Sequence, residues 1–281
     1  MFRSFFIMSV QAPIGVFDSG LGGLTVLKEM ANHLPEYDFI YLGDNARAPY
    51  GPRDFETVYQ YTLQAVKWLF DKGCPLVILA CNTASAKALR NIQQKDLPLM
   101  DPSKRVLGVI RPTTEVIGDY TETNHIGILG TKGTIESGSY VIEISKSFPD
   151  VTIYQQACPD WVELVESGDY QTPNADQPVK ECLDHLLDQC AGIDTILLGC
   201  THYPLLLPVI KRHVNPAIQI ISQGDIVAES LVFYLKRHPE MANRLSKSAK
   251  IDFFTTGDTD HFKHAAGVFW GKEVPAHKAL L

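Results

Sequence analysis

Two apolar runs in this chain end the same way. Leu76 to Thr83 reads Leu-Val-Ile-Leu-Ala-Cys-Asn-Thr, and Thr195 to His202 reads Thr-Ile-Leu-Leu-Gly-Cys-Thr-His. Each is a run of strand length, closed by a small residue, a cysteine and two small or polar hydrogen-bonding residues. Uninterrupted apolar strands of this kind belong in parallel sheets covered on both faces. The two cysteines, Cys81 and Cys200, stand 119 positions apart, too far for a local zinc loop or a redox Cys-x-x-Cys pair. The pattern predicts two duplicated halves, each offering one thiol at the carboxyl end of a parallel strand. Two thiols facing each other across a cleft can take a proton from one face of a substrate carbon and return one to the other face.

Further strand-like runs occur at 14–18, 39–43, 106–110, 125–129, 151–155 and 218–221. They alternate with amphipathic stretches at 23–34, 54–72, 84–93, 137–148, 178–189 and 204–213. Such alternation predicts an α/β fold of two similar domains, each a mainly parallel sheet flanked by helices, with the active site in the cleft between them. The strands divide into two sets of four. Each set opens on a Gly-flanked strand, and in each the third strand ends in cysteine. The expected division is 1–110 plus 224–281 for the first domain and 111–223 for the second. The tail (a helix at 225–236, a strand at 250–254 and a helix near His261) cannot make a core alone and is expected to pack on the first domain. Residues 171–178 read as a flexible loop.

A length of 281 residues suits one large or two medium domains, and 45% hydrophobic content can bury a real core. The net charge of −7 leaves no basic footprint, which argues against nucleic acid as a main partner. No apolar run approaches the length of a membrane span. Met1 to Met8 lacks the apolar region and cleavage site of a signal peptide, and Met8 is an alternative start. Six cysteines without a Cys-x-x-Cys fit a reduced, cytoplasmic protein. Cys74, and Cys182 and Cys190 within a helical pattern, read as small buried hydrophobes.

Ligands of open parallel sheets bind at the carboxyl ends of the strands. The polar residues expected there are Asp18-Ser19, Asp44-Asn45, Cys81-Asn82-Thr83, Thr131 and Cys200-Thr201-His202. The loop Gly20-Leu-Gly-Gly-Leu-Thr25 is not a dinucleotide fingerprint, because Thr25 stands where the third glycine belongs. It reads as a tight strand-to-helix turn. Asp18 reads either as a helix cap or as a partner for a thiol or an amine. His202, two residues beyond Cys200, can pair with a thiolate. No Cys/His spacing matches a zinc site, and Asp258, Asp260, His261 and His264 read as the acidic first turn of a helix rather than a metal set. No metal and no cofactor are expected.

Several segments closely resemble the glutamate racemases, within the aspartate/glutamate racemase family. They are 18–26, 43–51, 80–85, 133–138, Ala157-Cys-Pro159 with Glu166, 199–204 and Thr255-Thr-Gly-Asp258, collinear from about Ile14 to about Val274. The resemblance implies a cofactor-independent racemase of two α/β domains. Cys81 and Cys200 would be the acid/base pair, with Asp18, His202 and Glu166 in the catalytic neighbourhood. Asp18, Ser19, Tyr50, Gly51, Asn82, Thr83, Thr201 and His202 would contact glutamate. The implied role is supply of D-glutamate for peptidoglycan, in the cytoplasm. A homodimer is compatible with this reading. Two segments depart from the family pattern: Ile110-Arg-Pro-Thr113 and Ser222-Gln-Gly224, both near the expected crossings between domains. Rival readings are a related two-cysteine racemase for aspartate or a hydantoin, a thiol redox sensor using Cys81 and Cys200, and a two-lobed amino-acid-binding module.

Overall fold

The computed structural model describes residues 11–281, so the expectations for Met1 to Met8 lie outside the described residues. Ten strands appear among them: β1 (Ile14–Asp18), β2 (Phe39–Gly43), β3 (Leu76–Leu79), β4 (Arg105–Gly108), β5 (His125–Gly130), β6 (Thr152–Ala157), β7 (Thr195–Gly199), β8 (Gln219–Ile221), β9 (Ile251–Thr255) and β10 (Ala276–Lys278). They form a six-stranded sheet in the order β10-β9-β2-β1-β3-β4 and a four-stranded sheet in the order β6-β5-β7-β8. Every pairing is parallel. The order β2-β1-β3-β4 repeats as β6-β5-β7-β8, so β3 and β7 hold equivalent places. Cys81 follows β3 and Cys200 follows β7 directly. The sequence repeat is thus a repeat of topology.

Burial explains the apolar runs. β1, β2, β3 and β7 are buried along their whole length, as strands covered on both faces must be. One apolar cluster takes in Ile14, Leu24, Leu27 and Phe39 of the first half together with Leu129, Ile196 and Leu198 of the second. It joins the halves on one side. Phe17, Leu42, Val66, Leu69 and Leu79 fill the other face of the first sheet, and Ile126, Ile128, Tyr140 and Leu197 that of the second. After β8 the chain returns as the Gly224–Arg237 helix, which lies on Leu24–His33; a Cβ at Gly224 would come 2.8 Å from Glu29 Cγ. β9 then pairs with β2 in register from Phe39↔Ile251 to Gly43↔Thr255.

Three local expectations change. The helix expected over 84–93 starts at Asn82, runs to Lys87, and continues through a bent stretch with a π-turn at Ile92–Asp96 as far as Met100. Residues 171–178 are no irregular loop: they hold parts of two 3₁₀ turns and the start of the Asp176–Leu187 helix. Thr172 fixes the second turn by accepting from Asn174 N–H at 3.2 Å. Cys190 lies beyond the end of that helix, and both Cys182 and Cys190 are only partly buried. Among the described residues no helix is long and apolar enough to cross a membrane.

Candidate active site

Cys81 is the N-cap of the Asn82–Lys87 helix, and its Sγ accepts from Ala84 N–H at 3.5 Å. A sulfur in this position faces the free N–H groups and the positive end of the helix. The same thiol lies 3.4 Å from Ser19 Oγ. Burial and the nearby Asp18 carboxylate outweigh those contacts and push the Cys81 thiol up to about 12. It is held as a protonated thiol at neutral pH.

Cys200 has a different neighbour. Its Sγ is 4.0 Å from His202 Nδ1, and His202 Nε2 is 3.0 Å from Glu166 Oε1. Burial alone would favour neutral imidazole, but Cys200 and Glu166 overcome it and raise His202 to about 10. Glu166 moves the opposite way: its hydrogen bond to the imidazolium outweighs partial burial and lowers it. The second thiol therefore faces a protonated imidazole, itself backed by a carboxylate. Phe269 stands edge-on to the imidazole ring at 5.5 Å.

Asp18 links the halves. It is wholly buried at the end of β1; Gly20 N–H donates to its Oδ1 at 2.9 Å, and Thr201 Oγ1 donates to its Oδ2 at 3.3 Å. Burial raises its pKa, against the pull of His202. The glycine loop lets this happen. A Cβ at Gly22 would sit 2.4 Å from both Thr201 Oγ1 and His202 Nδ1, and one at Gly23 would sit 2.5 Å from Asp18 Cβ. Gly22 thus allows close packing of the first half against the Cys200 loop, and Gly23 leaves room for the Asp18 side chain.

Other expected contact residues are placed with equal definition. Thr83 Oγ1 lies 2.9 Å from Thr131 Oγ1 and 3.3 Å from Thr134 Oγ1, a buried cluster of three hydroxyls from both halves. Gly51 approaches the same cluster: a Cβ there would be 3.1 Å from Thr131 Cβ, and its carbonyl accepts from Gly133 N–H at 3.0 Å. The Tyr50 hydroxyl turns away and donates to Asp44, so the Tyr50–Gly51 main chain faces Thr131 instead. Asp44 also accepts from Arg47 Nε at 2.7 Å and Thr256 Oγ1 at 2.7 Å, and Thr255 Oγ1 donates to Asn45 Oδ1 at 2.9 Å. The tail thereby supports the loop that carries Tyr50. The Asn82 amide is engaged at both ends: Nδ2 donates to Gln223 Oε1 at 2.7 Å, and Oδ1 accepts from Tyr140 OH at 2.6 Å.

Thr134, Tyr140 and Gln223 were not among the residues expected from sequence. A lone Thr or Gln after a strand carries no signal until the partner strand is in place. Arg111, in the first of the two segments that depart from the family pattern in sequence, is exposed and paired with Glu115 at 2.7 Å on a groove lined also by Phe233 and Arg237. Asp258 caps the last long helix by accepting from His261 N–H at 2.7 Å, as a helix start should. Among the described residues one group, Glu29, His33 and Asp225, brings three metal-capable atoms within 4.8 Å of one another. Cys74 is fully buried, and burial pushes its thiol up to about 12.

Two parallel sheets of matching strand order, a thiol after the third strand of each, and a buried carboxylate bridging the halves define a two-lobed α/β protein with thiols at equivalent places in its two halves. The profile of the Asp/Glu/hydantoin racemase family matches residues 14–231, and the chain belongs to that family. The chain is 42% identical to the glutamate racemase of Bacillus cereus over 267 residues, 95% of this chain and 96% of that protein. It is 40% identical to the glutamate racemase of a Ruegeria species, over 93% of this chain and 97% of that one. The crystal structure of glutamate racemase isoform RacE1 from Bacillus anthracis superposes with a TM-score of 0.87 at 34% identity, covering 96% of this chain and 98% of that one. That of the Francisella tularensis glutamate racemase, in complex with D-glutamate, gives 0.84 at 30% identity, over 96% and 97%.

Proposed function

We propose that this chain interconverts L- and D-glutamate by a two-thiol acid/base mechanism that uses no cofactor or metal. The observation that carries the reading is the equivalent placement of Cys81 and Cys200 in two repeats, joined by Asp18. Inverting an α-carbon needs a base on one face and an acid on the other. From L-glutamate, the Cys200 sulfur takes the α-proton and Cys81, held as a thiol, gives its proton to the opposite face. The roles reverse from D-glutamate. The carbanion develops charge on its carboxylate, and fixed donors oppose that charge without reorganising. The hydroxyls of Thr83, Thr131 and Thr134 supply them. Asp18 and Thr201 suit the substrate ammonium, and protonated His202 offsets charge at the Cys200 sulfur.

On this reading residues 1–110 with 224–281 form one domain and 111–223 the other, and the substrate lies in the cleft between them. The product serves peptidoglycan synthesis in the cytoplasm. The test is circular dichroism on pure L-glutamate, with no pyridoxal phosphate and after EDTA dialysis. The signal should decay to zero, and Cys81→Ser and Cys200→Ser should each abolish the decay while Cys74→Ala leaves it intact. Turnover of aspartate or a hydantoin in place of glutamate, or near-normal turnover by either serine variant, would refute the assignment.

A further inference from the structure

Gln223 is 4% exposed, lies between β8 and the Gly224–Arg237 helix, and spends its whole amide on four partners. Its Oε1 accepts from Asn82 Nδ2 at 2.7 Å. Its Nε2 donates to Thr113 Oγ1 at 2.9 Å and to Tyr140 OH at 2.7 Å, and Val109 O shares one of these two hydrogens at 3.3 Å. Tyr140 OH closes a ring by donating to Asn82 Oδ1 at 2.6 Å. The chain passes between the sheets twice, after β4 and after β8. Val109 and Thr113 stand on the first crossing, Gln223 on the second. One side chain therefore ties both crossings to Asn82, the residue that follows Cys81.

The polarity of the ring is fixed. Turning the Gln223 amide over would set its N–H against the N–H of Asn82, and turning the Asn82 amide over would set its carbonyl against Gln223 Oε1; burial would leave both facing groups unpaired at a cost of about 1–3 kcal/mol each. Asn82 is the first residue of the helix whose Ala84 N–H points at Cys81 Sγ. Holding Asn82 therefore holds the helix start that fixes the sulfur.

We propose that Gln223 is a positioning residue: through Asn82 it fixes the Cys81 thiol relative to both crossings between the sheets. The proposal rests on the reading of Cys81 as one of the two acid/base groups, but its test separates the two. Gln223→Met keeps the length and removes every hydrogen bond. The measurement is the rate of alkylation of Cys81 by iodoacetamide relative to Cys200, by peptide mass mapping, alongside racemisation and melting temperature. The Cys81/Cys200 ratio should fall by at least about threefold, because the sulfur loses its aligned helix N–H. Racemisation should fall roughly tenfold to a hundredfold, through kcat more than KM, as expected for a misplaced reacting group. An unchanged or increased ratio overturns the proposal, whatever happens to turnover or stability. If Gln223→Met does not fold, Tyr140→Phe carries the same test: it removes the donor to Asn82 Oδ1 and the acceptor of Gln223 Nε2 while leaving the Gln223–Asn82 hydrogen bond, and should shift the ratio in the same direction, with an unchanged ratio overturning the proposal. A wild-type protein inactive on glutamate would sink the functional reading and leave the alkylation result standing.

Discussion

Replacing His202 should change how stability depends on pH more than any other single substitution. His202 is raised to about 10 in the folded chain, against an ordinary value of 6.5. A group whose pKa is higher when folded binds its proton more tightly in that state. Its contribution is fully present below about 6.5 and drains away as pH climbs through about 10. Between pH 7 and pH 10 that linkage removes about 3–4 kcal/mol. The Glu166 side chain is 38% exposed, so solvent screens part of this, and about 2–3 kcal/mol is the expected loss. At about 2–4 °C per kcal/mol for a chain of this size, melting should fall by about 5–10 °C more in the wild type than in His202→Asn. Glu166→Gln should fall between them. The comparison cancels Cys74 and Cys81, whose thiols, both pushed up to about 12, also lose stability in the upper part of the range. Thermal unfolding followed by far-UV circular dichroism across that range is the assay. Parallel pH profiles for wild type and His202→Asn would show that the imidazole is not held charged by Cys200 and Glu166.

Two further outcomes test the site. Asp18→Asn should raise melting temperature at pH 7, because burial opposes ionisation of this carboxyl, while kcat/KM falls equally for both enantiomers and their kcat ratio changes; unchanged kinetics would reduce Asp18 to a turn-stabilising residue. Gly22→Ala places a methyl 2.4 Å from Thr201 Oγ1 and His202 Nδ1; it should cost about 1–3 kcal/mol by urea titration and most of the activity, and a neutral result would mean the halves are not pressed together there.

The fold was largely legible because its central strands are short, mostly apolar and closed by small residues, so Leu76 to Cys81 and Thr195 to Cys200 announced themselves. Boundaries slipped where local chemistry took over. Cys81 leaves the strand to cap a helix, and the helix after it persists to Met100 through a π-turn that no 3.6-residue pattern encodes. The cysteines, Asp18, His202 and Glu166 were readable from motif and resemblance. The hydroxyl cluster of Thr83, Thr131 and Thr134, and the ring of Asn82, Tyr140 and Gln223, were not. Their members are far apart in sequence, and only the docking of one sheet beside the other makes them neighbours. The resemblance implied that Tyr50 and Gly51 contact the amino acid; what it did not announce is that the Tyr50 hydroxyl donates to Asp44, which also accepts from Thr256 near the far end of the chain.

That last pairing bears on biosynthesis. A ribosome has made both four-stranded units, with Cys81 and Cys200, before it reaches β9. Until β9 docks on β2, the edge of the first sheet is bare, and Asp44 and Asn45 lack the hydroxyls of Thr256 and Thr255. The loop that carries Tyr50 and Gly51 towards Thr131 then rests on Arg47, Tyr50 and Gly133 without its supports from the tail. The nascent chain thus carries both cysteines before this side of the first sheet is complete, and the last strands finish the edge beside the Tyr50 loop.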